Sequence, residues 1–581
     1  MRLLVVARHF AALRNYESVV RRLLQDGQDV EVAALQEDAV GGAAMVARWQ
    51  AEFPALRVSW APGRPVSESE TLTEKIRLAL DWVRYLAPAY RTAPRLVSRA
   101  RERTPRVMLW LTALPGMGTA PARRALTAGL REIERTLPRV PAVDAFLAQR
   151  QPDVVMLTPL IGLGSPELDY LRSARALGFR TLFGVWSWDN LSSKALIRWV
   201  PDVIAVWNET QRDEAVTLHG VPPGAVEVTG AQCFDQWFDR TPSRGHEAFC
   251  AHVGLPAAPR FVLYVCSALF RGSPSEARFV RRWLEGLRNS GDPALRDVPV
   301  LVRPHPSRLK EWDEVSLDGL GPVVLWGRNP IDAEAKADYF DSLSHAAAVV
   351  GLNTSAFLEA AIAGRPVLTV LLDEFHENQE GTLHFPYLLN VGGGLLYATR
   401  SLDAHQRQLG EVLADPAGHA GRSARFVEAF LRPYGLAEAA TPRLVAAIER
   451  LAARPAQPAD DREAGAAARA GLTLARRAYR GRLTRRLLWD PLEAREERAR
   501  AAGIRAHRWM KRRQYWTAQA DRARRVARER FQKAMERRAK EKAKAARWRE
   551  KRVRQSRERR ERLAAAVMNK LRTMIGQAPR Q

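Results

Sequence analysis

Runs of consecutive apolar residues recur along roughly the first 400 positions and alternate with stretches whose apolar residues return every third or fourth place. Leu3-Leu4-Val5-Val6-Ala7 is the first such run, the pattern of a strand buried on both faces of a parallel sheet. A helical pattern follows over Tyr16–Gln25, with Val19, Val20, Leu23 and Leu24 on one side, and stops at Asp26-Gly27 before a second run, Val30-Glu31-Val32-Ala33. Strand, helix, glycine stop and strand make a βαβ unit. The stretch 72–150 reads as helical and carries prolines at 88, 94, 105, 115 and 121; strand runs then return at Asp153–Leu157, Thr181–Val185, Val203–Val206 and Val226–Thr229. A second series opens at Phe261–Ser267 and continues through Val298–Val302, Val323–Trp326, Ala348–Leu352 and Pro366–Leu372, with helices between. Alternation without hairpin signals predicts α/β class: two Rossmann-like doubly wound lobes, 1–240 and 241–450, joined near 236–258 and facing a cleft.

Charge separates a third part from these two. The chain of 581 residues carries a formal charge of +27, with 91 Lys and Arg against 64 Asp and Glu. Residues 451–581 hold 40 of the bases and 14 of the acids, leaving 51 and 50 in residues 1–450. The body is neutral, and a linker with a basic, mostly helical tail, 451–581, carries the charge. Three cysteines without CxxC spacing exclude a disulfide scaffold and a zinc ribbon. The opening apolar run is too short for a signal-peptide core, and no run approaches the ~18 residues of a spanning helix, which predicts a cytoplasmic protein.

Candidate chemistry gathers where predicted strands hand over to helices. Asn353-Thr354-Ser355 lies between a strand and a helix, so free N–H groups and hydroxyls there attract phosphate, with Glu359 one turn on facing ribose hydroxyls. The same residues also fit simple helix capping. His305, fixed between Pro304 and Pro306, and Arg303 follow a strand and can bond a phosphate oxygen; a turn histidine bonded to a carbonyl is the alternative. Gly381-Thr382 is read as the start of a helix and a second anion-facing terminus. In the first lobe His9 follows the opening strand, and Asp189 follows Thr181–Val185 within Trp186-Ser187-Trp188-Asp189-Asn190. Either can act as a base, with the tryptophans offering a stacking face to a sugar; either also fits a local backbone role. No DxD pair marks a metal site.

Three motifs resemble the GT-B superfamily of nucleotide-sugar enzymes. They are the opening pattern ending Leu24-Gln25-Asp26-Gly27-Gln28-Asp29-Val30, the stretch Val226-Glu227-Val228-Thr229-Gly230-Ala231-Gln232-Cys233-Phe234-Asp235, and Gly351-Leu352-Asn353-Thr354-Ser355-Ala356-Phe357-Leu358-Glu359-Ala360 with Gly364-Arg365-Pro366. The resemblance covers roughly residues 1–440. It implies an N-terminal acceptor lobe and a C-terminal nucleotide-donor lobe, a nucleotide-activated sugar as substrate, a carbohydrate or lipid-linked acceptor, and no cofactor or metal. It also implies a glycosyltransferase of surface polysaccharide or glycolipid synthesis, with donor contacts at Arg303, His305, Asn353, Thr354, Ser355, Glu359, Gly381 and Thr382 and a base at His9 or Asp189. A CDP-glycerol-type glycerophosphotransferase and a UDP-N-acetylglucosamine 2-epimerase are alternatives on the same scaffold. Thr354-Ser355 replaces the epimerase family's double glycine, which favours transfer. A non-catalytic scaffold tethered by its tail is the alternative from another class.

The tail is dense in Arg, Ala, Glu and Lys from 501 to 575, with no proline before Pro579, which favours helix. Asp521–Arg525, Glu529–Lys533, Glu536–Lys540, Glu550–Arg554 and Glu558–Arg562 are acid–base pairs at helical spacing, and Leu563, Val567 and Leu571 form an apolar side near the end. Residues 470–575 therefore suit an anionic membrane surface, ahead of nucleic acid, with a solvated helix or weak coiled coil as the plain alternative.

Overall fold

A computed structural model describes residues 1–38, 41–63, 68–330, 332–455, 464–489, 538 and 540–573. Seven strands build the first sheet: β1 (Arg2–Ala7), β2 (Asp29–Ala34), β3 (Arg57–Trp60), β4 (Val154–Thr158), β5 (Arg180–Gly184), β6 (Val203–Val206) and β7 (Val226–Val228). Six build the second: β8 (Val262–Val265), β9 (Val300–Arg303), β10 (Val323–Leu325), β11 (Ala348–Gly351), β12 (Val367–Val370) and β13 (Leu396–Thr399). The orders are β3-β2-β1-β4-β5-β6-β7 and β10-β9-β8-β11-β12-β13. Every pairing is parallel. Each sheet is wound outward in both directions from its first strand, so both lobes are Rossmann-like and have their switch point beside β1 and β8.

The apolar runs are legible because the central strands are covered on both faces. Leu3, Val5 and Ala7 pack with Val19, Val20 and Leu23, while Leu4 and Val6 pack with Val155, Leu157 and Phe183 on the opposite side. β3 and β13 were not expected: both are edge strands, and their half-exposed residues break the apolar run. Five helices fill the connection from β3 to β4: Glu68–Tyr85, Pro94–Arg103, Arg106–Ala113, Ala120–Arg135 and Pro141–Arg150. Pro94, Pro121 and Pro141 sit in first turns, where a missing N–H costs nothing, so the prolines punctuate this insertion without breaking it. Arg77 at its centre, buried, is paired with Glu134 at 2.8 Å and with Asp169.

The crossing between lobes is pinned by Asp235. Its carboxylate accepts the N–H groups of Ala440 (3.1 Å) and Thr441 (2.6 Å) and the Arg432 guanidinium (3.1 Å). It thereby caps the helix Ala440–Ala453, whose Leu444, Val445, Ile448 and Leu451 pack into the first lobe beside Val19 and Leu23. The last helix of the expected span 241–450 thus returns to the first lobe. Gly230, at φ +85°, lets this crossing close, since a Cβ there would lie 2.7 Å from the Cβ of Ala440.

The chain forms two compact units, Met1–Leu492 and Glu493–Gln581. Within the first, the helix Ala466–Arg480 docks on the insertion through Leu472 and Tyr479, which pack with Leu72, Ile76, Leu137 and Trp489. In the second, residues 540–573 are a continuous, solvent-exposed helix with Arg554–Glu558 paired at 3.1 Å. The pairs expected at Asp521–Arg525 and Glu529–Lys533, and Glu536 of the expected pair with Lys540, lie outside the described residues, and Arg554 pairs with Glu558 in place of the expected Glu550. Among the described residues no helix is long and apolar enough to cross a membrane.

Candidate functional site

The carboxyl ends of β9 and β11 flank that of β8, so the loops carrying His305 and Asn353-Thr354-Ser355 are separated by one strand, roughly 10 Å across the sheet. The loop after β8 lies between them. Ser267 Oγ accepts the Asn353 N–H at 3.1 Å, and the buried Glu276 carboxyl accepts the Ser267 N–H at 2.6 Å. Asn353 Nδ2 donates to the Asn378 carbonyl at 2.5 Å, and Thr354 Oγ1 accepts the Ala356 N–H at 3.3 Å. Asn353 and Thr354 are therefore spent on shaping the turn. Ser355 stands exposed before the helix Ala356–Ile362, and its hydroxyl does not cap it.

His305 is oriented by its own turn. Its Nδ1 accepts the Ser307 N–H at 3.2 Å and lies 2.8 Å from Ser307 Oγ, which leaves the ring proton on Nε2, free to donate outward. Burial, with the nearby Arg308 charge adding, lowers its proton affinity, so the ring is neutral at pH 7.

Arg303, Tyr339 and Glu359 form one cluster. The Arg303 guanidinium carbon sits 5.0 Å over the Tyr339 ring, the Tyr339 hydroxyl donates to Glu359, and Arg303 Nη1 is buried without a hydrogen-bond partner. Burial pushes the Glu359 carboxyl up to about 7, opposed by the Tyr339 hydroxyl and by the charges of Arg14 and Arg303. Arg14 comes from the first lobe, on the 3-10 helix Phe10–Tyr16 that follows β1, so both lobes face one another here. Lys336 adds a further cation: burial lowers it, Glu17 opposes this, and Arg240, Arg14 and Arg48 reinforce it. Arg14 of the first lobe thus acts on Glu359 together with Arg303 of the second, and on Lys336 as well.

His9 and Asp189 follow β1 and β5, two strands apart in the first sheet. His9 Nδ1 is buried and makes no hydrogen bond. Asp189 is an ion-pair member: Lys194 Nζ lies 2.9 Å away, and the hydroxyls of Ser187 (2.7 Å) and Ser193 (2.8 Å) donate to it. Burial alone would raise this carboxyl, but Lys194, His384 and the hydrogen bonds outweigh it and hold it far below the usual range. Such a carboxylate is a weak base, which separates it from the expected role. Trp188 is buried with its ring edge-on to His384 of the second lobe at 4.6 Å, so it offers no free stacking face.

Gly381 and Thr382 do not begin a helix. The helix is Phe385–Asn390, and Thr382, buried in the preceding turn, donates to the Gln379 carbonyl at 2.9 Å and accepts the Phe385 N–H at 3.3 Å. With that hydroxyl consumed and both residues buried, no anion-facing terminus forms there. Sequence reasoning missed Arg14, Tyr339 and Lys336: packing within the second lobe brings Tyr339, on the same helix as Lys336, to Glu359, and only the meeting of the two lobes brings Arg14 there. Among the described residues, no group of three or more His, Cys, Asp or Glu side chains is placed to hold a metal ion.

No protein-family model matches this chain, and no curated protein does. Solved structures similar to it include a UDP-N-acetylglucosamine 2-epimerase described as putative, from Listeria monocytogenes (14% identity, covering 79% of this chain and 98% of that one, TM-score 0.44). Others are a glycosyltransferase from Rickettsia africae ESF-5 (8%, 78% and 99%, 0.46) and MurG from Acinetobacter baumannii (12%, 77% and 99%, 0.41). At TM-scores below 0.5 the fold rests on the strand orders and registers given above.

Proposed function

We propose that the protein is a glycosyltransferase that moves a sugar from a nucleotide-activated donor to a hydroxyl of a carbohydrate or lipid-linked acceptor, in the synthesis of a surface polysaccharide or glycolipid. The observation that carries this reading is the meeting of Arg14 from one lobe with Arg303, Tyr339 and Glu359 from the other, at the carboxyl edges of two parallel sheets. Ligands of open parallel sheets bind at these edges. In this reading Arg303, His305 Nε2 and the Ser355 turn hold the diphosphate, and Glu359 accepts from ribose. His9 takes the proton of the acceptor hydroxyl as its oxygen bonds the anomeric carbon. The bond to the nucleoside diphosphate breaks, and that group leaves with the electron pair, its charge stabilised by Arg14 and Arg303. No step requires a metal ion, so turnover is expected to persist in chelator.

A thermal-shift series with CMP, CDP, UDP, GDP and dTDP, followed by calorimetry, tests the reading. One nucleotide is expected to raise the melting midpoint, and His305→Ala to abolish most of that gain. Absence of stabilisation by all five sinks the proposal.

A further inference from the structure

The insertion of the first lobe carries apolar side chains that its own fold does not cover. On the helix Arg106–Ala113 and the turn after it, Trp110 and Leu114 are 53% and 55% exposed and lie one helical turn apart. The turn continues as Pro115-Gly116-Met117, outside the core. Against this helix packs the segment Arg485–Trp489, held down by Trp489, whose ring meets Tyr479 edge-on at 6.1 Å. That segment and the turn before it present Leu487 and Leu483, 47% and 71% exposed and again one turn apart. Two elements packed on each other thus each expose large apolar groups, a feature that monomeric surfaces avoid unless it is used.

The rim is basic. Residues 466–489 contain seven arginines and no acid, and Arg476, Arg477, Arg480 and Arg486 are exposed. The helix Pro94–Arg103 ends in the exposed Arg101 and Arg103.

We propose that this face docks on an anionic lipid leaflet, with Trp110, Leu114, Leu483 and Leu487 entering the interfacial layer and the arginines meeting lipid phosphates. The occupant must offer negative charge and an apolar interior together. Nucleic acid supplies the charge without an interior for leucines. The chain's own tail is itself strongly basic and supplies no negative charge. An anionic bilayer supplies both. The second compact unit repeats the chemistry by itself: residues 540–573 hold 14 Lys and Arg against four Glu, with Leu563, Val567 and Leu571 exposed every fourth residue. The face also lies one helix from the cleft. Arg99 of Pro94–Arg103 donates to the Ser193 carbonyl, and Arg95 pairs with Glu377 of the second lobe. An acceptor carried in the leaflet would be presented at the lobe boundary that Arg95 and Glu377 mark. The docking stands independently of the reaction proposed above.

The test is co-sedimentation of the full chain with vesicles of phosphatidylcholine, with and without one-third phosphatidylglycerol. At least tenfold stronger partition onto the anionic vesicles is expected. The fourfold variant W110S/L114S/L483S/L487S is expected to lose at least tenfold of it while keeping the wild-type melting midpoint. R476S/R477S, on surface positions, is expected to shrink the anionic preference alone. Equal partition onto both lipids, no partition, or wild-type binding by the fourfold variant overturns the proposal. So does displacement of the protein from anionic vesicles by an equimolar random RNA.

Discussion

At the scale of single residues, two first-lobe side chains compete for the role of base, and their surroundings separate them. Asp189 already receives Lys194 and two hydroxyls, and these hold it ionised with little appetite for a proton. His9 keeps a buried ring nitrogen without a partner. General-base catalysis contributes about 10²–10⁴-fold, so His9→Ala is expected to cut turnover by that factor with nucleotide affinity unchanged. Asp189→Asn is expected to lower it less than tenfold and to cost about 1 kcal/mol of stability, since Lys194 is partly exposed and water screens the lost pair. Steady-state rates for the two variants decide; a larger loss at Asp189 reverses the assignment. On the donor side, a charge-assisted hydrogen bond is worth about 1.5–3 kcal/mol. His305→Ala is therefore expected to weaken nucleotide binding more than tenfold, and Ser355→Ala, which removes one hydroxyl, only a few-fold. Calorimetry that ranks them the other way would place the phosphate nearer the Ser355 turn.

At the scale of elements, the loop after β10 sets the position of Arg303. Gly327 lies at φ +118°, and a Cβ there would fall 2.6 Å from the guanidinium carbon. Gly327→Ala is expected to push the guanidinium off the Tyr339 ring and to lower nucleotide affinity several-fold. The fold should survive, because the displaced group is the end of a flexible side chain; unchanged affinity would mean that Arg303 does not touch the ligand. This scale also shows where sequence reasoning works. Val5 and Val349 sit in unbroken apolar runs because helices cover both faces of their strands, so pattern alone finds them and the turns at their ends, including His9, His305 and Ser355. Arg57–Trp60 escapes, because an edge strand half in water has no such run. Gly381-Thr382 misleads, because a small residue before a hydroxyl looks like a helix start whether that hydroxyl faces a cleft or, as here, donates to Gln379 and accepts from Phe385. Asp235 reads as a motif residue, but the helix it caps begins some 200 positions later, beyond any local window.

At the scale of the whole molecule, the lobes meet through titratable groups. Tyr387 of the second lobe donates to Glu214 of the first at 2.6 Å, and burial pushes that carboxyl up to about 7 against the opposing effects of the Tyr387 hydroxyl and Arg84. The folded chain therefore holds a proton at Glu214 that the unfolded chain releases near pH 4.5. Between these values the native state binds more protons, so stability falls as pH rises and the penalty is complete above about 7. At ~1.4 kcal/mol per pKa unit the effect is on the order of 2 kcal/mol between pH 5.5 and 7. Asp189 is ionised throughout this window, whereas His384 and His405, lowered to about 4 by burial against 6.5 in the unfolded chain, slope the opposite way and remain in any single variant. Glu359 and Glu276, pushed up to about 7 and about 8 by burial, slope the same way as Glu214 and likewise remain in any single variant. Glu214→Gln keeps an oxygen for the Tyr387 hydroxyl but removes the titration. The difference between its melting midpoint and the wild type's is expected to move a few degrees in the variant's favour between pH 5.5 and 8.5, because the other groups contribute equally to both curves. Parallel curves would show that Glu214 stays ionised across the window, and that the lobes close on a charged carboxylate rather than a neutral one.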